Sequence, residues 1–167
     1  MYNELTEVDI RKMQEEIDYR MRVVRPKCIE DLQTARGFGD LSENYEYKAA
    51  KQELRRCDSR LRYLRRMINT AKVIKADSPE GQVGLFDKVE IYIPEDDETQ
   101  IIQIVTTVRT DPRLGLISKE SPFGKSVLGK KVGDVITVQV SDSYSYDAEI
   151  RSITKCDDDG SAPLMGY

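Results

Sequence analysis

Apolar residues in the first part of the chain recur at alternating steps of three and four positions. The clearest run comprises Tyr47, Ala50, Leu54, Cys57, Leu61, Leu64, Ile68 and Ala71, and a looser run upstream comprises Ile10, Met13, Ile17, Met21, Val24, Cys28 and Ala35. This spacing predicts an apolar stripe along each of two helices, as in a coiled coil. Gly37-Phe38-Gly39 separates the runs, so we predict an antiparallel hairpin of helices at about 7–36 and 41–75, kinked at Pro26.

Beyond residue 84 the apolar period changes from helical spacing to alternation. Strands are predicted at 88–93, 99–108, 134–140 and 146–153. A short helix is predicted within 121–133, because Ser121 suits an N-cap, Pro122 suits the first helical position and Gly133 suits the stop.

These patterns predict an α+β protein with two domains. An N-terminal antiparallel α-helical coiled-coil hairpin precedes a small, mostly antiparallel β domain with one short helix. The predicted boundaries are a hairpin at 1–76, a linker at 77–84, the β domain at 85–155 and a flexible tail at 156–167.

Charge is distributed unevenly between the two halves. The net charge is −4, but residues 1–76 carry 17 basic and 13 acidic side chains, whereas residues 77–167 carry 9 and 17. Between Lys48 and Lys75 there are ten basic residues and two acids, Glu53 and Asp58. A solvated helix face is one interpretation of this run. Because like charges one turn apart repel, contact with nucleic-acid phosphates is the interpretation that we favour.

Composition excludes several kinds of chemistry. The chain has no histidine and three cysteines without a C-x-x-C pair, so zinc binding and His-assisted nucleophilic catalysis are not expected. Neither a signal peptide nor an apolar run of membrane-spanning length is found. We therefore expect a cytoplasmic protein with reduced cysteines and no membrane contact.

Asp40 and Glu43 lie where the predicted hairpin reverses direction, and they allow two interpretations. D-x-x-E at a helix start can be a capping box, with Asp40 as the N-cap. Alternatively, two carboxylates three residues apart can hold Mg²⁺ together with groups from a partner, or orient a water molecule for attack. Two acids alone make a poor metal site, so the rest of the site would come from the partner.

Three blocks of the sequence resemble the Gre transcript cleavage factors of bacteria, the GreA/GreB type. They are RP at 25–26, ARGFGDLSENYEYKAAKQE at 35–53 and SPFGKSVLGKKVGD at 121–134. The resemblance covers nearly the whole chain in the same order. It implies a transcription elongation factor whose coiled-coil tip, near 37–47, enters the secondary channel of bacterial RNA polymerase and stimulates cleavage of backtracked nascent RNA. It also implies an FKBP-like C-terminal domain that docks on the polymerase.

The resemblance assigns roles to individual residues. Asp40 and Glu43 match the family's catalytic acids, which implies that Asp40 helps to hold a Mg²⁺ ion shared with the polymerase and that Glu43 positions or deprotonates the attacking water. The residues expected to contact RNA or polymerase are Arg36, Asn44, Tyr47, Lys51, Arg55, Arg62 and Arg66. Gly37, Phe38 and Tyr45 depart from the usual motif; Tyr45 is expected to stack on a displaced base, to be simply exposed or to pack on Phe38.

The implied protein is not an enzyme alone, binds no cofactor alone, and acts as a monomer on RNA polymerase and the RNA 3′ end. Two alternatives remain open. One is a Gre-like inhibitor that occupies the same channel without promoting cleavage. The other is a coiled-coil adaptor with an isomerase-like domain; the absence of tryptophan gives prolyl isomerase activity no support.

Overall fold

The computed structural model describes residues 3–39 and 44–166. Contacts divide the chain into two compact units. The first contains Ile10–Lys72, and the second contains Glu4–Asp9 together with Val73–Gly166. Strands β1 (Asn3–Leu5) and β2 (Ala71–Val73) pair as a two-stranded sheet.

The first unit is a hairpin of long helices. Its first arm runs through α1 (Glu7–Tyr19), a π-helical segment (Arg20–Val24) and α2 (Arg25–Arg36), and its second arm is α3 (Tyr45–Asn69). Side-chain bonds connect the arms at Glu16–Arg60, Arg25–Asp58 and Asn44–Ala35. As the residue number rises along the first arm, the number of its partner in the second arm falls. The two arms are therefore antiparallel.

The π-helical segment explains where the predicted seam is wrong. Met21, predicted to lie in the seam, is 42% exposed, whereas Met13 and Ile17 before it are buried. The N–H of Arg25 donates to the carbonyl of Arg20, five residues earlier. Such a widened turn shifts the helical register, so the stripe read from α1 does not continue through it. Pro26 is the second residue of α2, and because it has no backbone N–H it cannot donate an α-helical hydrogen bond to the preceding turn.

The second unit is built on a five-stranded sheet. Its elements are β3 (Lys88–Ile93), β4 (Glu98–Val105), β5 (Leu116–Ser118), α4 (Pro122–Val127), β6 (Val135–Ser141) and β7 (Tyr144–Thr154). The strand order is β5-β4-β3-β7-β6, and every neighbouring pair is antiparallel except β4–β5. Together with the hairpin, this confirms the predicted fold class.

Alternation along the strands builds the core of this unit. Val89, Ile91 and Ile93 of β3 are buried and pack with residues of β4 and β7, such as Ile104 and Ile150. Ser121 caps α4 by accepting a hydrogen bond from the N–H of Gly124 at 3.0 Å, as the sequence predicts. The three-residue strand β5 was not predicted, because it is too short to show an alternating pattern.

The compact units differ from the predicted domain boundaries at the linker. Val83, in the predicted linker 77–84, is buried, and its N–H donates to the carbonyl of Lys130 at 2.9 Å. The buried carboxylate of Asp87 accepts hydrogen bonds from the N–H of Gly84 at 2.7 Å and the ammonium of Lys155 at 2.5 Å. These bonds make the end of the predicted linker part of the second unit.

The predicted flexible tail also packs into the second unit. The N–H of Cys156 donates to Asp87 at 3.0 Å, and that of Met165 donates to the carbonyl of Val108 at 2.7 Å. Ala162 is buried in the hydrophobic core. Residues 156–166 are therefore held by backbone hydrogen bonds and apolar contact, which their polar composition did not indicate.

The segment Glu4–Asp9 reaches the second unit through a buried cluster around Arg109. The fully buried guanidinium of Arg109 forms ion pairs with Asp9, 2.9 Å away, and with Asp158, and it lies over the ring of Phe86 at 4.4 Å. Asp9 also accepts hydrogen bonds from the hydroxyl of Thr106 at 3.0 Å and from the N–H of Thr6 at 2.9 Å. Glu4–Asp9, which the sequence places in the hairpin domain 1–76, therefore belongs to the second unit.

None of the helices in the described residues is long and apolar enough to span a bilayer. The cysteines Cys28, Cys57 and Cys156 are free thiols.

Candidate functional site

The candidate site is the end of the hairpin where α2 passes into α3. Helix α2 ends at Arg36, and the chain turns with hydrogen bonds from the N–H of Gly37 to Thr34 at 3.1 Å and from the N–H of Phe38 to Ala35 at 3.2 Å. Gly39 adopts a φ of +107°, a conformation that favours glycine. Asp40 and Glu43 lie outside the described residues, so their assignment as catalytic acids stays a prediction.

Asn44 is the N-cap of α3, which the sequence analysis did not foresee. Its backbone is extended and its side-chain oxygen accepts a hydrogen bond from the N–H of Tyr47 at 3.0 Å. Helix α3 therefore begins at Tyr45 rather than near residue 41. The capping interpretation gave the N-cap role to Asp40, but the N-cap of α3 is Asn44, and Asp40 itself lies outside the described residues. The D-x-x-E pattern matched a capping box, but an Asn before the apolar period was an equally good signal.

Asn44 also uses its amide inside the hairpin. The side-chain nitrogen donates to the carbonyl of Ala35 at 2.6 Å, while the oxygen serves the cap. Asn44 was predicted to contact RNA or polymerase. In the structure both ends of its amide are already engaged with the hairpin itself.

The ring of Tyr47 lies near two cations that the sequence analysis assigned to the same surface. The guanidinium of Arg36 and the ammonium of Lys51 lie 5.7 and 5.8 Å from the centre of its ring. The hydrogen bond from Arg36 lowers the pKa of the Tyr47 hydroxyl, aided by the charge of Lys51. The structure thus brings together three of the predicted binding residues.

Two aromatic side chains near the turn are open to solvent. Phe38 is 65% exposed and Tyr45 is 81% exposed, and Lys48 lies 5.4 Å from the centre of the Tyr45 ring. The exposure expected for Tyr45 is found, and its stacking on a displaced base stays a prediction.

Fewer basic side chains of α3 are exposed than the sequence indicates. Arg55, Arg62 and Arg66 are exposed, as an RNA-contacting surface requires. Arg60 is buried instead and makes two hydrogen bonds to the carboxylate of Glu16, at 2.8 and 2.9 Å. Both acids of this stretch are paired, Glu53 with Arg56 and Asp58 with Arg25.

Glu16 is a structural acid that the sequence analysis missed. Burial alone raises its pKa, but hydrogen bonds from Arg60 and Arg20 outweigh burial, and the pKa is lowered overall. The spacing of Glu16 and Arg20 by four residues was a usable signal for a helical ion pair. The longer connection to Arg60 had no local signal.

The part of the chain that the structure describes contains no group of three or more His, Cys, Asp or Glu side chains able to hold a metal ion. The pair that the sequence suggests for Mg²⁺, Asp40 and Glu43, lies outside the described residues. One or two carboxylates are what Mg²⁺ commonly takes from a protein when phosphates and water complete its shell. The chemistry of the pair fits a shared ion and does not fit a self-sufficient site.

Comparison with known proteins covers both units. Residues 3–73 match the family described as "Transcription elongation factor, N-terminal", and residues 78–155 match "Transcription elongation factor, GreA/GreB, C-term". The chain is 39% identical over 151 residues to transcription elongation factor GreA of Mesoplasma florum, covering 89% of this chain and 96% of that protein. It is 40% identical over 136 residues to transcription elongation factor GreA of Bacillus licheniformis, covering 81% and 86%.

Among solved structures, the crystal structure of GreA factor homolog 1 of Thermus thermophilus is similar, with 24% identity and a TM-score of 0.42 over 93% of this chain and 100% of that chain. The sequence matches over both units define the class as transcription elongation factors. The chain belongs to the GreA/GreB family of these factors.

Proposed function

We propose that this elongation factor acts on bacterial RNA polymerase by stimulating endonucleolytic cleavage of backtracked nascent RNA. The hairpin enters the polymerase secondary channel, and Asp40 and Glu43 act at the polymerase active site. The observation that carries the proposal is the match of both units to the GreA/GreB family. In addition, Asn44 is the N-cap of α3, so capping of that helix does not by itself explain why positions 40 and 43 are acidic.

The two acids take different roles in the proposal. Asp40 binds a Mg²⁺ ion shared with the polymerase, and that ion, when bound, supplies charge stabilisation at the scissile phosphate. Glu43 orients the attacking water and accepts its proton. The factor is proposed to have no catalytic activity alone, because two carboxylates make a poor metal site without groups from a partner.

The exposed cations of α3 support the same function. Arg55, Arg62 and Arg66 lie on the helix that follows the turn. Phosphates of an RNA 3′ segment displaced into the channel are partners of matching charge. The sheet unit, in the acidic half of the chain, is proposed to dock on the polymerase surface as a protein-binding module.

The proposal is tested by charge-neutral variants of near-identical shape. Asp40→Asn and Glu43→Gln should each lower RNA cleavage in a halted elongation complex by at least about a hundredfold, because a metal ligand or a base is lost. Polymerase binding and melting should stay close to wild type. Raising Mg²⁺ should restore part of the activity to the Asp40 variant and less to the Glu43 variant.

Glu46→Gln is the matched control, since Glu46 is an exposed acid in the first turn of α3. It removes the same charge from the same helix end and should leave cleavage near wild type. Near-wild-type cleavage by both test variants would overturn the catalytic assignment. Binding without any cleavage by the wild-type protein would favour the inhibitor, and failure to recover polymerase would favour the adaptor.

A further inference from the structure

The side chain of Asn44 joins the two helices of the hairpin as well as capping one of them. Its Oδ1 accepts from the N–H of Tyr47 in the first turn of α3, at 3.0 Å. Its Nδ2 donates to the carbonyl of Ala35 in the last turn of α2, at 2.6 Å. One planar amide therefore connects the end of one helix to the start of the next.

The chemistry of the two partners specifies an amide at this position. The backbone N–H of Tyr47 needs an acceptor and the carbonyl of Ala35 needs a donor. Aspartate or serine would cap α3, but aspartate has no donor and the serine hydroxyl is a shorter, single group. Ala35 itself is buried, and its carbonyl also accepts from the N–H of Phe38 at 3.2 Å. The Ala35 carbonyl thus accepts hydrogen bonds both from the turn that follows α2 and from the residue that caps α3.

We propose that Asn44 is a positioning residue for the acids of the hairpin turn. Its hydrogen bond to the Ala35 carbonyl links the two residues that flank segment 36–43, which carries Asp40 and Glu43. Reacting groups displaced by about 1 Å can lose about a hundredfold in rate. This inference rests on the proposed cleavage function, because the effect expected of Asn44 is on the rate of RNA cleavage.

Two variants separate the connection from the cap. Asn44→Asp keeps a good N-cap but turns a carboxylate oxygen toward the Ala35 carbonyl. Asn44→Ser keeps a cap without added charge and lacks the donor that reaches Ala35. Both should lower the maximal cleavage rate at saturating factor by about tenfold or more, while the factor concentration for half-maximal effect and the melting temperature stay near wild type. A residue that served only to hold α3 folded would change melting and leave the maximal rate alone.

A second measurement tests the connection without cleavage. Hydrogen exchange of residues 36–43 in the full chain should be faster in Asn44→Asp and Asn44→Ser than in wild type, whereas exchange within 50–69 should not change. Unchanged exchange in both variants, or unchanged maximal cleavage rates, would overturn the proposal. If the wild-type factor stimulates no cleavage, the proposed function fails, and the exchange result still decides whether Asn44 holds the turn.

Discussion

At the scale of single residues, two arginines of the sheet unit show how much burial changes an ion pair. Arg109 is fully buried between Asp9 and Asp158. Arg113 is exposed and pairs with Asp111 at 3.0 Å. Removing one partner of a buried pair leaves the other charges without compensation, whereas exposed pairs contribute little to stability.

We therefore expect Arg109→Met to lower the free energy of unfolding by about 3–5 kcal/mol. Arg113→Met should leave it unchanged within error. Urea unfolding followed by circular dichroism measures both variants against wild type. Equal effects of the two substitutions would show that the Arg109 cluster does not stabilise the unit.

The same residues show why sequence reasoning stops where it does. Asn44 could have been identified as a cap, because the signal lies within three residues of its partner. The Arg109 cluster could not, because Asp9, Arg109 and Asp158 are far apart in sequence and each is of a type that is normally exposed. Only the folded chain brings them together.

At the scale of elements, the stripes of the hairpin helices were predictable where the helices are regular. Leu61 and Leu64 of α3 are buried as their spacing predicts, and the prediction is wrong at Met21, where a π-helical segment changes the period. The position of the basic face on α3 was predicted correctly, but the number of arginines exposed on it was overestimated. Arg60 belongs to an ion pair with the opposite arm, which no local pattern could indicate.

The exposed part of that face gives the next prediction. Changing Arg55, Arg62 and Arg66 to Ala should weaken cleavage in complexes backtracked by many nucleotides more than in those backtracked by two or three. The salt dependence should also become shallower, because fewer phosphate contacts release fewer counterions. Cleavage measured across a salt series tests both effects.

The control is a variant with the same change in charge on the other unit, Lys88, Lys130 and Lys131 to Ala, since these lysines are exposed. It should not distinguish the two kinds of complex. Equal loss on short and long backtracked RNA in the α3 variant would mean that its arginines bind protein rather than RNA.

The Glu16–Arg60 pair makes the stability of the hairpin dependent on pH. The pKa of Glu16 is lowered in the folded chain, so its contribution is fully present above the unfolded value of about 4.3 and is lost as pH falls through the folded pKa. Glu16→Gln should cost about 1.5–3 kcal/mol at pH 7, the range for hydrogen bonds to a charged group. The gap between wild type and variant should narrow below about pH 4. Urea unfolding at a series of pH values measures it, and a gap that widens toward acid would contradict the assignment.

At the scale of the whole molecule, the second unit depends on residues from the beginning of the chain. Leu5 and Asp9 are buried, and Thr6 donates its hydroxyl hydrogen to Asp158 at 3.2 Å. A chain that starts at Ile10 loses these groups and leaves Arg109 without one of its two carboxylates. The sheet was predictable from the alternating apolar pattern of its strands. The contribution of Glu4–Asp9 to the second unit was not predictable, because these residues lead directly into the helical pattern of the hairpin.

We expect the chain that starts at Ile10 to show faster amide exchange at Thr106–Arg109 and in β4 than the full chain. Exchange within residues 50–64 of α3 should change little, because that stretch belongs to the other unit. Hydrogen exchange followed by mass spectrometry resolves these regions. Equal protection of β4 in both chains would show that Glu4–Asp9 contributes nothing to the second unit.

The Arg109 cluster also has a consequence for biosynthesis. The contact between Thr6 and Asp158 spans 152 positions, and that between Thr106 and Asp9 spans 97. A ribosome releases Asp9 long before its partners exist, and contacts of such long range close late and slowly. The hairpin can form while translation continues, whereas the second unit is completed only when residues near Asp158 leave the exit tunnel. Until then Asp9, which is buried in the complete chain, stays exposed to solvent. In a nascent chain stalled before Asp158 emerges, the hairpin would be folded and the second unit would not.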